Sequence, residues 1–467
     1  MEAIIAKLEA ALYPAVCSVN TYLSNYILVF LLVAVGLWYS IQTRFIQIRC
    51  FGEGMRKVFG NLSLNGKKHD SGMSSFQALA TAIAAQVGTG NIAGAAAAIA
   101  SGGPGAIFWM WVSAFFGMAT IYAEATVAQK YKTRDERGVT VGGPAFYIRE
   151  AFKGKFGAFL SGFFSVAIIL ALGLMGNMVQ SNSIGDAFYT AFGVPKIAAG
   201  IVVAAVSAFI FLGGVKRIAA ITEKLVPIMA IFYICGALIA IGMNAQNILP
   251  ALQSIFVGAF TPQAVMGGAI GISIKEAVRF GVARGLFSNE AGMGSTPHAH
   301  AMAKVEKPQD QGAVAMVGVF IDTFIVLTLT ALVILTSGML GTTGADGQML
   351  TATALAQAAF NNSFGSFGNA FVAICLLFFA FSTIVGWYFF GESNVNALFK
   401  GSKKATFLYG VIALVFIVVG SFQKVTLVWD MSDMFNGLMV IPNLLAVLAL
   451  SGIVAKFAKD DTYLGKE

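Results

Sequence analysis

Residues 75–101 read SFQALATAIAAQVGTGNIAGAAAAIAS, and how this stretch is read decides the fold. It is apolar and long enough to cross a bilayer. Its middle, Val87-Gly88-Thr89-Gly90-Asn91, is nevertheless poor helix, because glycine loses the most conformational freedom on ordering. A break at mid-membrane frees backbone N–H and C=O groups that lipid cannot satisfy, so it survives only where it lines a protein cavity. Free carbonyls there can hold a cation, and free N–H groups at the next half-helix can hold an anion. Thr89 adds a hydroxyl and Asn91 a side-chain carbonyl, so a zwitterion and a metal ion could share the site. A close helix crossing that merely needs small residues fits the same stretch. A dinucleotide loop does not: G-x-G-x-x-G must follow a strand, and here Gly94 comes one residue late between membrane-like flanks.

Composition bounds the rest. The chain has 467 residues, 57% of them hydrophobic and only 11% charged, with a mean hydropathy of +0.78. Several apolar runs reach spanning length, which makes this a polytopic membrane protein and excludes a soluble domain. The net charge of +8 lies in loops and calls for no nucleic-acid partner. Cys17, Cys50, Cys235 and Cys375 are scattered without CxxC spacing and read as reduced and structural. The N-terminal MEAIIAKLEAALYPAV is amphipathic but lacks a basic n-region and a cleavage site, so it reads as something other than a cleaved signal peptide.

About eleven spans are expected: Tyr22 to Ile46, the broken stretch, Gly105 to Lys130, Phe156 to Gln180, Lys196 to Gly213, Leu225 to Met243, an irregular segment Met266 to Glu290, Ala313 to Leu335, Ala370 to Phe390, Ala405 to Gly420, and Thr426 to Ile453 interrupted at Pro442-Asn443. An amphipathic piece, Pro144 to Phe156, carries Arg149, Lys153 and Lys155, and Thr351–Phe360 reads as a surface helix. Alternate loops are basic. Of the 30 Lys and Arg, only Lys7, Lys196 and Lys424 fall on the other side in this reading. Lys and Arg accumulate in cytoplasmic loops, so the N-terminus is expected outside, the C-terminus inside, and the chain in the cell membrane.

Without the first span, ten remain in two groups of five, and an odd number per group inverts the second copy. Each group opens with a glycine-interrupted segment; the second is read at Val265-Met266-Gly267-Gly268-Ala269-Ile270-Gly271. Paired interrupted helices at matching places point to a transporter site. The expected organisation is 1–68 for the first span and its basic loop, 69–243 and 266–456 for the two repeats, 244–265 for the connection and 457–467 for a tail. After Gly271, Lys275, Glu276, Arg279 and Arg284 share a helix face, read as a half-helix descending to the cytoplasmic side with the charges as a gate or as a solvated surface. His298 and His300, beside Pro297, read as loop histidines rather than metal ligands.

The ninth span holds Ser382, Thr383 and Trp387. Hydroxyls in an apolar helix can bond back to their own carbonyls, or complete an oxygen cage for sodium with carbonyls of the broken stretch. Trp387, one turn from Thr383, can wall a pocket or anchor at the interface. Asp322 is an intramembrane acid, able to serve a cation or a proton or to pair with Arg279. Glu124 lies near the end of its span. Asn177 and Gln180 offer hydrogen bonds to a substrate or mark a helix end. No HExxH, GxSxG or nucleophile–base set suggests an enzyme.

Gln86-Val87-Gly88-Thr89-Gly90-Asn91-Ile92, followed by GGPGAIFWMW and LFSNEAGMGSTPHAHA, resembles the alanine or glycine:cation symporter family over nearly the whole chain. That resemblance implies an all-α, LeuT-like five-plus-five inverted repeat with one extra N-terminal span and two broken helices. It implies sodium-coupled uptake of alanine or glycine by alternating access, with no cofactor beyond sodium as coupling ion. Carried over from the wider fold group, Ala84 and Val87 carbonyls with Ser382 and Thr383 hydroxyls would hold sodium, and Asn91 would approach a second one. Thr89 and Gly90 N–H groups would take the substrate carboxylate, and Gly88 belongs to the same substrate site. Gln86, Gln180, Thr383, Gly268, Ile270 and Trp387 would complete or limit the pocket. Gln86 stands where the group carries a small residue. Proton coupling through Asp322 is the alternative.

Overall fold

The structure, a computed structural model, describes residues 13–60, 73–135, 138–261, 263–264, 271–344, 347–423 and 425–459. Apolar runs become helices because only a helix pairs all its own backbone groups in lipid. The described residues are helical from 13 and pass through a wide turn at Leu23–Leu28 into α1 (Val29–Gln42); after short helices at Ile46–Arg49 and Phe51–Phe59 come two half-helices, α2 (Ser75–Gln86) and α3 (Ala95–Gly102), joined across a bend of 47°. There follow α4 (Gly105–Lys130), the hairpin β1 (Thr133–Arg134) and β2 (Thr140–Val141), and α5 (Pro144–Ala151). The first half closes with α6 (Gly154–Phe192), α7 (Lys196–Phe211) and α8 (Gly214–Met243). After α9 (Ile248–Phe260) the second half runs α10 (Ile274–Asn289), α11 (Pro297–Met302), α12 (Pro308–Ser337), α13 (Ala352–Phe364), α14 (Phe367–Leu398), α15 (Lys403–Phe422) and α16 (Val425–Ala449), and α17 (Ser451–Lys459) follows.

The order of elements recurs in both halves: broken helix, long helix, short amphipathic helix, very long helix, two more. Each broken helix even starts the same way. Ser74 accepts from the Gln77 amide while Gln77 accepts from that of Ser74, both at 3.0 Å. Ser273 and Glu276 repeat this at 3.2 and 3.0 Å. Such a capping box contributes about 1 kcal/mol to starting a helix.

Among the described residues seven helices are long and apolar enough to cross a membrane, eight with the bent pair; the shorter α1 and α7 stand where the first and fifth spans were expected. Small residues set the close crossings. A methyl on Gly105 would lie 2.1 Å from the Gly258 carbonyl, and one on Gly281 would lie 2.5 Å from that of Ala106.

Several expectations are corrected. The expected break at 265–270 falls outside the described residues; a break that the sequence reading did not place follows α10, at Glu290–Thr296, where Glu290 (φ 59°), Gly292 (φ 93°) and Gly294 (φ 77°) turn the chain left-handed. Gly268 and Ile270 lie outside the described residues. The helix expected on the surface, α13, is a buried cap: Leu355, Ala356, Ala359 and Phe360 are wholly enclosed, and Phe360 meets Phe371 at 5.0 Å. Its register places the apolar residues on one face, over the bundle. Helix α16 runs unbroken through Pro442. The fourth span does not end near Gln180; α6 continues to Phe192, leaving Asn177 and Gln180 in its interior.

Candidate functional site

The first break is built as its glycines suggest. Helix α2 ends at Val87, whose ψ of 84° leaves the helical region, and a wide turn over Gly90–Gly94 restarts the chain. Gly88 lies against α14: a Cβ there would come 2.3 Å from Thr383 Oγ1 and 3.1 Å from Gln180 Oε1. The freed amides find side-chain acceptors. The Gly88 N–H donates to Asn91 Oδ1 and the Thr89 N–H to Gln180 Oε1, each at 3.0 Å. Gln180 thus sets a carbonyl oxygen where the dipole of the following half-helix favours an anion. Thr89 Oγ1, Gln180 Nε2 and Gln86 Oε1 are buried without a protein partner, an arrangement suited to a polar ligand rather than to a dry core.

Two oxygen clusters flank the break. In the first, Thr383 Oγ1 donates toward Ala84 O at 2.9 Å and Ala85 O at 3.2 Å, and Ser382 Oγ reaches Ala84 O at 3.2 Å. Both hydroxyls also bond back to Phe379 O, at 3.0 and 2.8 Å. The self-bonded geometry and the cage-like one therefore coexist. Val87 takes no contact from these hydroxyls; its N–H continues the helix to Ile83 O at 2.7 Å.

The second cluster gathers around Asp322. Its carboxylate accepts from Asn91 Nδ2 at 2.6 Å, from Ser288 Oγ at 3.1 and 3.0 Å, and from Thr323 Oγ1 at 2.8 Å. Asp322 does not pair with Arg279; every donor it has among the described residues is neutral. Asn91 belongs here, not with Ser382 and Thr383. Gln86 Nε2 closes the cluster from behind, donating to Asn289 O at 2.6 Å. A carboxylate with hydroxyl oxygens is a hard donor set for a small cation.

Trp387 is buried, flat against Gly176, where an added Cβ would meet its ring at 2.5 Å. Its indole N–H donates to Glu290 Oε1 at 2.5 Å, and Ser295 Oγ donates to Glu290 Oε2 at 2.5 Å. Trp387 is therefore enclosed in the helix bundle and is not an interfacial anchor. Phe287 stands edge-on to it at 5.6 Å, Trp429 follows at 4.8 Å from Phe287, and Arg284 caps Trp429 at 4.5 Å. Arg284 then forks onto Asp433 at 2.9 and 2.8 Å.

This column corrects the reading of α10. Gly102, at the end of α3 remote from the basic loops, packs on Phe280 and on the Glu276 carbonyl. The charged turns of α10 therefore lie away from those loops, where Lys275, Arg279 and Arg284 join Lys196. Glu276 caps its own helix, and Arg284 turns into the column.

Glu290, Ser288 and Asn443 are the residues that the sequence pattern hid, and Glu124, noted only as lying near the end of its span, joins them. Glu124 accepts from the Gly292 and Gly294 amides, both at 3.0 Å, and from Asn443 Nδ2 at 2.5 Å. Tyr147 donates to Asn443 Oδ1 in turn. One buried carboxylate thus satisfies the amides that the second break exposes. The signal was present: Gly292-Met293-Gly294 repeats the spacing of Gly88-Thr89-Gly90. His298 and His300 lie inside α11, not in a loop. His298 pairs with Asn394 and His300 with Gln311, each at 2.8 Å, and no group of three metal-ligating side chains occurs among the described residues.

Comparison with known proteins follows the same lines. The model of the sodium:alanine symporter family matches residues 9–466. The sodium/alanine symporter AgcS of Methanococcus maripaludis is 41% identical over 95% of both chains. The amino-acid carrier protein AlsT of Bacillus subtilis is 42% identical, covering 93% of this chain and 89% of its own. GlnT of Bacillus subtilis, named a probable sodium/glutamine symporter, is 41% identical over 95% of this chain and 89% of its own. Among solved structures, MhsT in complex with L-phenylalanine aligns with a TM-score of 0.57 at 14% identity, covering 84% of this chain and 98% of that one. A manganese transporter of Eremococcus coleocola aligns at 0.52 and 15% identity, covering 85% and 82%. At such identities the likeness concerns the fold: the LeuT-like inverted repeat with two broken helices.

Proposed function

Since the chain belongs to the sodium:alanine symporter family, a family of multi-pass transporters and not of enzymes, we propose that it imports small neutral amino acids, alanine and glycine, together with sodium by alternating access. Amino acid transport follows from the family and its relatives; the substrate, the ion and the residues are the reading argued here.

The observation that carries it is the pairing of the Thr89 N–H with Gln180 Oε1. A substrate carboxylate takes the place of that side-chain oxygen, held by Thr89, Gly88 and Gly90 amides at the positive end of the half-helix. Gln180 then turns to the ligand. Sodium sits among Ala84 and Val87 carbonyls and the Ser382 and Thr383 hydroxyls. The Asp322–Asn91–Ser288–Thr323 cluster holds a second cation beside it, where a full negative charge offsets the cost of dehydrating an ion. Trp387 limits the side chain; Gly268 and Ile270 are assigned to the same boundary from sequence alone. The N-terminus lies outside and the C-terminus in the cytoplasm, by the basic loops.

Proton coupling is the second reading, favoured by one observation: the Asp322 carboxylate is enclosed with neutral donors alone. One experiment separates the two. Alanine uptake into proteoliposomes is measured under an inward sodium gradient, then with potassium in its place, then under a proton gradient. Sodium-only accumulation is expected, with Asp322→Asn raising the sodium half-saturation about tenfold or more, since a bond to a charged group contributes roughly 1.5–3 kcal/mol. Accumulation on a proton gradient alone, abolished by Asp322→Asn, would transfer the coupling role to that proton.

A further inference from the structure

The side of the molecule that carries the basic loops holds two adjoining cavities that the transport site does not use. The first, about 400 Å³, lies between the β1–β2 hairpin, α5, the first turns of α6 and the last turns of α14. Arg134, Arg149 and Lys400 line it and are exposed, and Asp135 is its single acid among the described residues. Arg149 Nε donates to Ser161 Oγ at 3.3 Å, leaving the fork of its guanidinium for another acceptor. Ser165, Ser393 and Asn396 add hydrogen-bonding groups to the wall. Such a lining of cations, hydroxyls and an amide suits a phosphate ester.

The second cavity, about 620 Å³, is an open groove between the ends of α7, α14 and α15. Phe211 and Tyr388 form its floor, stacked at 3.5 Å. Leu212 and Phe407 rise beside it, 80% and 69% exposed, with Val411 and Leu414 behind. Asn396 lines both cavities, so the polar pocket opens beside the apolar groove, and Lys403 lines the groove as well. A cationic pocket continuous with an apolar groove has the two halves of one ligand's chemistry.

We propose that this double cavity is a site for one anionic phospholipid, its phosphate among Arg134, Arg149 and Lys400 and an acyl chain along Phe211, Tyr388 and Val411. Basic pockets between helices on this side of a membrane protein bind anionic headgroups. The lipid would grip the end of α14, the helix that carries Ser382, Thr383 and Trp387, and so steady the element the site depends on.

The test uses the full-length protein in detergent and native mass spectrometry, with phosphatidylglycerol and phosphatidylcholine of identical chains as probes and inorganic phosphate as the soluble anion. The wild type is expected to retain one phosphatidylglycerol at least roughly tenfold better than phosphatidylcholine. Arg134→Ala/Arg149→Ala/Lys400→Ala should lose that preference, and Arg149→Lys should keep it. Gly410→Leu, which fills the groove beside the Tyr388 hydroxyl (a Cβ there lies 3.2 Å away) and leaves every cation in place, should lose retention of both lipids. Equal retention of the two lipids by the wild type would overturn the proposal. So would retention insensitive to Gly410→Leu but abolished by millimolar phosphate, which would make this a site for a soluble anion. Thermal unfolding of each variant separates loss of the lipid from loss of the fold.

Discussion

Gly88 has no room for a methyl group. Its backbone lies against Thr383 Oγ1, and a Cβ would stand 2.3 Å from that oxygen. The oxygen is held by Ala84 and Phe379 carbonyls at 2.9 and 3.0 Å, so it cannot retreat without losing them. Overpacking of this kind costs about 1–3 kcal/mol, and here it falls on the seat proposed for sodium. Gly88→Ala is therefore expected to reduce alanine uptake about tenfold or more while the purified protein still unfolds cooperatively; wild-type uptake would remove Thr383 from contact with the break. Trp387 makes a second case. Its ring lies on Gly176 and its N–H is fixed by Glu290. Trp387→Phe shortens the wall and leaves Glu290 Oε1 without that donor. Glutamine uptake relative to alanine should rise several-fold, because relaxing a hydrophobic wall shifts discrimination by about 1–3 kcal/mol. An unchanged ratio would mean that Trp387 does not bound the substrate.

At the scale of elements, α10 and α16 meet through the Arg284–Asp433 fork, whose side chains are only 12% and 20% exposed. Below it, Trp429 rests on Phe287 at 4.8 Å and approaches Gly94 of the first broken helix. The column thus touches both broken helices at once and closes the route from the side away from the basic loops. Removing one member leaves the other charge partly enclosed, which is the costly situation. Arg284→Ala and Asp433→Ala should each impair uptake, the double variant should lose less than the sum of the two losses, and swapping the two charges should recover part of the loss. Additive effects would mean that the fork contributes nothing to closure. This contact was not legible beforehand, because charges on an apolar helix say that a cavity or a surface is near but not which end of the helix it is. The first break was legible, since two glycines two apart at mid-span leave few alternatives in lipid. The break after α10 was not legible for a related reason: the turn at Gly292 and Gly294 is held by Glu124 from a distant helix. Sequence spacing shows where a backbone can break; partners 168 and 170 residues away decide where it does. Ser382 and Thr383 could be placed because a hydroxyl pair in an otherwise apolar helix stands out, whereas Ser288 sits among polar neighbours and does not.

Across the whole molecule the two ends are closed by different contacts, and alternating access requires that they open in alternation. On the basic-loop side the start of α2 is tied down. Met73 N–H donates to Met302 O and Lys304 N–H to Met73 O, both at 3.0 Å. Gln77 Nε2 reaches Glu223 at 2.9 Å, and Thr81 meets Thr222 at 3.0 Å on α8. On the far side stands the Arg284 column. If the molecule had independent gates, weakening one would leave the other unchanged. If it is a single two-state body, weakening one end populates the state open there and depopulates the state open at the other. Each contact then shifts one shared equilibrium by its own free energy. The readout is the labelling rate of Ala283→Cys in a cysteine-free background by a membrane-impermeant thiol reagent; Ala283 lines a small cavity with Phe287 and Asp433. Asp433→Asn should raise that rate several-fold, because it loosens the near end. Glu223→Ala, at the other end, should lower it. The combined variant should fall between them, since distant substitutions add in free energy when they act on one equilibrium. A rate indifferent to Glu223→Ala would leave two independent gates. The repeated order of elements would then describe how the chain is built and not how it moves.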